Sequence, residues 1–189
     1  FTTGTPNSSN INPMQEYATT PVFSQISGYY PLAINLALNS PDTNITIYYT
    51  TNGDKPDNTS NIYTSPINIG STAVVKAIAY SSVNNIPPSF IDYHTFFINE
   101  THTIPILSIS GDDGQNGLTD LLDGGWGSSS LEPEGTIEWF DKTGLLLDKG
   151  TGEFNKHGND SWAYDQRGFD YIMRDQFGYN HALNDQVFY

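Results

Sequence analysis

The 189-residue chain contains no cysteine, which excludes disulfides, thiolate nucleophiles and cysteine-ligated zinc. Positive charge is almost as scarce. Seven Lys and Arg stand against 21 Asp and Glu, giving a formal charge of −14, and such a surface repels the phosphates that a nucleic-acid-binding chain must attract. No apolar run approaches the ~20 residues that a membrane-spanning helix requires. The chain begins at Phe1 with no signal-like segment and stops on Val187-Phe188-Tyr189, apolar residues suited to the middle of a fold, so we read it as a processed or trimmed chain. Methionine is limited to 2 residues whereas Tyr and Phe number 12 and 10, a balance that favours sheets over helical bundles. The 17 Gly and 11 Pro, among many Asn, Ser and Thr, supply the turns that short strands need.

The length exceeds one typical domain of about 100–150 residues, so two small domains are expected. Charge is divided unevenly between them: 2 basic and 6 acidic residues precede Thr103, and 5 basic and 15 acidic residues follow it. Residues 1–12 are polar and without periodicity, as linkers are. Leu32, Ile34 and Leu36 then alternate with Ala33, Asn35 and Ala37, and Ile45, Ile47 and Tyr49 alternate with polar neighbours, so both runs read as half-buried strands. Asn52-Gly53 is expected to end the second of these in a tight turn with Gly53 at positive φ. Ala73–Tyr80 and Tyr93–Ile98 are further strands, and the set predicts an antiparallel sandwich.

Within this half, Gly28-Tyr29-Tyr30, the phrase Ile47-Tyr-Tyr-Thr-Thr-Asn-Gly-Asp54 with Pro56, Tyr63 with Ser65-Pro66-Ile67, and Val75-Lys-Ala-Ile-Ala79 resemble the chitobiase/β-hexosaminidase C-terminal type domain, also called fibronectin-III-associated. The resemblance covers about residues 13–99. It implies an immunoglobulin-like accessory sandwich attached to a catalytic or adhesive partner.

A polar junction, Glu100-Thr-His-Thr103, precedes a more mixed second half. Ile104–Ile109 reads as a strand, Leu118–Leu122 as one or two helical turns, and Glu134–Phe140 with Leu145–Leu147 as a hairpin across Asp141–Gly144. Gly152–His157 and Arg167–Met173 are read as separate further strands. The phrases Ile104-Pro-Ile-Leu-Ser-Ile109, Pro133-Glu-Gly-Thr-Ile-Glu-Trp-Phe-Asp141, His157-Gly-Asn-Asp-Ser161 and Arg174-Asp-Gln-Phe-Gly178 resemble, in their order, the opening of a CotH-type (spore-coat kinase-like) protein of the variety found at Bacteroidetes cell surfaces. That resemblance covers residues 103–189 and implies the N-terminal part of an α+β, kinase-like lobe.

The richest local cluster is His157-Gly-Asn-Asp-Ser161. Residues so close in sequence seldom form a Ser-His-Asp site, which is assembled from separated elements. As a structural turn, Gly158 permits reversal while Asn159, Asp160 and Ser161 bond to nearby backbone. The CotH resemblance instead implies that the turn lies over a nucleotide, with Lys156, His157, Ser161 and Arg167 nearest to ATP and magnesium. The family shows a lysine after this turn, where this chain has Asp165-Gln166-Arg167, a departure that weighs against phosphoryl transfer.

Asp112, Asp113, Asp120 and Asp123 form an acidic stretch that suits either calcium ligation or helix capping and solvation. Trp126, Trp162 and Tyr164 are candidate carbohydrate-binding faces, whereas Trp139, inside an apolar alternation, is expected in the core. His94 and His102 are isolated in sequence and are expected to be satisfied structurally. The expectation is a mainly β chain in which an Ig-like antiparallel sandwich precedes a partial α+β domain. Its expected role is that of a non-catalytic accessory region, extracellular or at the cell surface, whose partners are the rest of its own polypeptide or a larger surface assembly. An atypical kinase fragment and a carbohydrate-binding module are the alternatives.

Overall fold

The computed structural model describes residues 17–123, 130–158 and 168–178, and they build two β units in succession. The expected linker 1–12 lies outside the described residues. In the first unit, β1 (Val22–Phe23), β2 (Gly28–Tyr30), β3 (Ile34–Leu36) and β4 (Leu38–Asn39) are short. They are followed by β5 (Ile45–Thr50), β6 (Asn61–Ile62), β7 (Ile67–Ile69), β8 (Ala73–Ser81) and β9 (Asp92–Ile98). Five of these form one sheet in the order β2-β9-β8-β5-β6, antiparallel except where β2 runs parallel to β9. The pairs β1–β4 and β3–β7 cover its inner face.

The alternation of apolar residues sets this packing. Ile47, Val75, Ala77, Phe96 and Ile98 project from the five-stranded sheet onto Leu36, Leu38 and Ile69, and these eight buried residues are the core of an Ig-like β-sandwich. The alternation continues through Ala37 although the strand pairing breaks there, for a clear reason. The N–H of Ala37 donates to Ser24 Oγ at 2.9 Å and its carbonyl accepts from the Ser24 N–H at 2.9 Å. The chain thus changes partner between β3 and β4 while Leu36 and Leu38 both face the core. Leu32, expected in a half-buried strand, precedes β3 and is exposed.

The second unit comprises β10 (Ile106–Gly111), helix α1 (Leu118–Asp123), β11 (Glu134–Phe140), β12 (Leu146–Lys156), β13 (Phe169–Met173) and a 3-10 turn at Asp175–Phe177. The strands form an antiparallel meander in chain order. Leu118 and Leu121 of α1 pack with Ile137 and Phe154 on one face of it. The two strands expected at Leu145–Leu147 and Gly152–His157 are one continuous strand, β12. Gly150 and Gly152 look like breaks in sequence, but here they admit β13: a Cβ on Gly152 would collide with the backbone of Ile172, and one on Gly150 with the Met173 side chain.

Gly53 does adopt positive φ, at 85°. The Asn52-Gly53 pair does not close a two-residue hairpin, however, since residues 51–60 intervene before β6. It turns the chain against the second unit, where a Cβ on Gly53 would lie 2.9 Å from the Cβ of Ser110. Backbone strain and this contact act together, so Gly53→Val is expected to lower stability by about 1–3 kcal/mol. An unchanged midpoint in urea-induced unfolding would show that the turn is not under this constraint.

Candidate functional site

Residues that alternate on a strand face opposite sides, so the second face of the five-stranded sheet is fixed once its core face is known. Val75, Ala77 and Phe96 point inward; Lys76, Tyr93, Thr95 and Phe97 therefore point away from the sandwich core. The second unit covers them with the face of β11 that carries Thr136, Glu138 and Phe140. Phe97 meets Phe140 edge to face at a ring separation of 5.2 Å.

Beside this aromatic contact lies a layer of polar groups that water scarcely reaches. Glu138 is 2% exposed, and each of its carboxylate oxygens meets a hydroxyl of the first unit: Ser27 Oγ donates to Oε1, and Thr95 Oγ1 donates to Oε2 at 2.5 Å. Thr95 Oγ1 also lies 2.8 Å from Ser108 Oγ of β10, and Ser110 Oγ lies 2.7 Å from Thr136 Oγ1. On the far side of Ser27 stands His94. Its Nδ1 is 2.8 Å from Ser27 Oγ and accepts the Ser27 N–H at 3.1 Å, while its Nε2 lies 3.4 Å from Asp92 Oδ2. Lys149 of β12 closes the run: its ammonium donates to Asp92 Oδ1 at 2.8 Å and to the Tyr93 carbonyl at 3.1 Å, and sits 4.6 Å over the Tyr93 ring.

The electrostatics follow from burial and partners. Burial pushes the Glu138 carboxyl above its ordinary range, and the bonds from Ser27 and Thr95 offset this only in part. Burial alone would also raise Asp92, but His94 and Lys149 outweigh it and hold that carboxyl at about 2. Among the described residues Lys76, 3% exposed, has one long contact, 3.4 Å from its Nζ to the Ser110 carbonyl. Burial lowers its ammonium to about 8 against the pull of Asp112, Glu134, Asp54 and Glu138.

Asp92, His94 and Ser27 have the chemical order of an acyl-transfer triad, yet the geometry serves a different end. Ser27 is 4% exposed, its hydroxyl is bound to the Glu138 carboxylate, and the His94 nitrogen that would take its proton also accepts the Ser27 N–H. A hydroxyl held by a carboxylate, beside a ring nitrogen already taken by a backbone N–H, is not poised to attack an acyl carbon. A cleft of about 540 Å³ opens onto these groups, with Ser27, His94 and Lys149 in its wall beside the larger Tyr29, Tyr30 and Leu146. Both half-buried tyrosine rings in its wall also pack inward, Tyr29 edge-on against Phe97 and Tyr30 tilted against Phe96.

The candidate residues singled out from sequence lie elsewhere. Lys156 ends β12, and His157 follows it at the surface, with Nδ1 2.8 Å from Asp170 Oδ1 of β13. Ser161, Arg167, Trp126, Trp162 and Tyr164 lie outside the described residues, as does most of the turn at 157–161. The four aspartates do not converge. Asp112 accepts the Lys55 N–H at 2.5 Å, Asp113 accepts from the Thr119 hydroxyl, Asp120 accepts the Asn116 N–H at 2.7 Å, and Asp123 ends α1. Among the described residues no group of three or more His, Asp or Glu is arranged to hold a metal ion. Trp139 is buried, as expected.

Sequence reasoning passed over Glu138, Lys76 and the partners of His94. A signal was present for each: Glu138 interrupts an apolar strand between Ile137 and Trp139, Lys76 interrupts another between Val75 and Ala77, and Asp92 and His94 are two residues apart on one strand face.

Residues 25–88 match the chitobiase/beta-hexosaminidase C-terminal domain. The matched segment runs from just before β2 to just beyond β8, and includes Ser27 and Lys76 but neither β9 nor the second unit. No curated protein and no solved structure matches the chain.

The isolated burial of Lys76 makes a stability prediction with a definite sign. Its folded-state value is depressed below 10.5, so the cost of burying the ammonium is full below about pH 8 and fades as pH rises from there toward 10.5. Lys76→Met should therefore stabilise the chain at pH 7 by about 1–3 kcal/mol, with the gain shrinking in alkali. Guanidinium titrations at pH 7 and pH 10 measure it, and a less stable variant at pH 7 would mean that the ammonium is well compensated.

Proposed function

We propose that this chain is a non-catalytic accessory region of a secreted or cell-surface bacterial protein, in which two β units are held as one rigid spacer. The observation that carries the reading is the match of residues 25–88 to a domain type known as the C-terminal part of glycoside hydrolases. The junction supports it, because the one Asp-His-Ser run found there is spent on joining the units. Placement outside the cell, and the CotH-type reading of the second half, rest on the phrase order of residues 103–189. In this reading the chain sets distance and orientation for the rest of its own polypeptide or for a larger surface assembly.

The kinase-like alternative is separable by chemistry. Phosphoryl transfer needs a cation on the phosphates and acidic ligands for magnesium held in one place. His157 pairs with Asp170 at the surface, and Arg167 stands where the family has lysine. The purified chain incubated with magnesium and γ-labelled ATP should therefore remain unlabelled and release no phosphate above buffer. Labelling that depends on magnesium and is lost in Arg167→Ala would replace the accessory reading with the kinase one.

A further inference from the structure

We infer that the junction is a proton-operated latch, in which Glu138 grips the first unit through Ser27 and Thr95 while it carries a proton and loosens its hold as it ionises. The inference rests on the reading that the two units are docked as one body.

Its basis is the arrangement around a single carboxyl. Glu138 is 2% exposed, crosses from the second unit to the first, and makes no ion pair among the described residues. The charged and titratable groups facing it are Lys76 from β8, Asp92, Tyr93 and His94 from β9, and Lys149 from β12. On β10 its register partner is the uncharged Ser108. Lys149 is committed to Asp92, the Tyr93 carbonyl and the Tyr93 ring, and Lys76 to the Ser110 carbonyl. A negative charge on Glu138 would thus be met directly by hydroxyl dipoles, with the ammonium groups of Lys149 and Lys76 acting on it without contact, and burial outweighs that help.

A neutral Glu138 suits every neighbour. Its O–H donates to Ser27 Oγ, the Ser27 hydroxyl turns to His94 Nδ1 and shares that nitrogen with the Ser27 N–H, and His94 Nε2–H faces Asp92, which already accepts from Lys149. The bonds run in one direction from Glu138 to Asp92, and no proton is left over. Ionisation turns the Ser27 hydroxyl proton back to the carboxylate and leaves the Ser27 N–H as the donor to His94 Nδ1.

The sign of the pH effect follows. A carboxyl raised on docking binds a proton that the exposed group has already released, so docking is strongest below the ordinary carboxylate range and weakens as pH rises through the raised one. Asp92, held at about 2, opposes this only in stronger acid, where its own contribution is lost as pH falls below 3.8. Lys76 acts only above about pH 8.

The test is the thermal midpoint of the whole chain between pH 5 and pH 8, for the wild type, Glu138→Gln and His94→Gln. Glutamine reproduces the neutral acid's donor and acceptor, and the histidine variant removes the imidazole that faces Ser27. The wild-type midpoint should fall by roughly 5 °C or more across the range. Glu138→Gln should be flat and should exceed the wild type at pH 8, while His94→Gln should keep the slope. A Glu138→Gln variant that keeps the wild-type slope, or that fails to fold at pH 5, would overturn the latch, as would a slope abolished by His94→Gln. Two separate wild-type transitions at pH 5 would instead overturn the docked-unit reading beneath it.

Discussion

Strand β9 has no solvent-facing side, and the rest of the architecture depends on that constraint. Phe96 and Ile98 fill the sandwich core, while Tyr93, Thr95 and Phe97 on the opposite face are buried by the second unit. Strand β11 is its counterpart: Ile137 packs with α1, and Glu138 and Phe140 are buried toward β9. Two strands buried on both faces set back to back make a continuous four-layer stack, in which neither unit's facing side is finished without the other.

This junction combines apolar and polar contacts, and the two contribute differently. The Phe97–Phe140 contact supplies non-directional attraction that would tolerate sliding. Glu138 between Ser27 and Thr95 permits one register only, because each oxygen must find its own hydroxyl. The ion pair of Lys149 with Asp92, 2.8 Å apart and partly solvated, adds a second directional tie. Near the opposite edge, Lys55 reaches Glu134 at 2.6 Å and its N–H donates to Asp112, so the loop after β5 is also tied to the second unit. The unfavourable element is Lys76, a buried cation with one weak acceptor.

Much of the fold was legible as alternation. The runs at Ile45–Tyr49, Ala73–Tyr80, Tyr93–Ile98 and Glu134–Phe140 were readable because one set of alternate residues is apolar in each. The misreadings came from local signals overruled by tertiary contacts. Leu32 continues an alternation that the chain abandons, and Gly150 and Gly152 resemble turn residues although they serve the close approach of β13. The site was less legible for a plain reason. His157–Ser161 drew attention because its polar residues are neighbours in sequence, whereas Ser27 and Glu138 are 111 residues apart and meet only through folding. An acid inside an apolar strand was the available clue, and it identifies a buried polar group without naming its partner.

Whether the two units are one body is measured most directly by residual dipolar couplings of backbone amides across residues 17–178. If β9 and β11 hold the units rigidly, couplings from the sandwich and from the β10–β13 meander will fit a single alignment tensor at pH 5. Two tensors of different magnitude and orientation would mean that the units move independently and that the buried contacts between β9 and β11 are not the organising feature of the molecule.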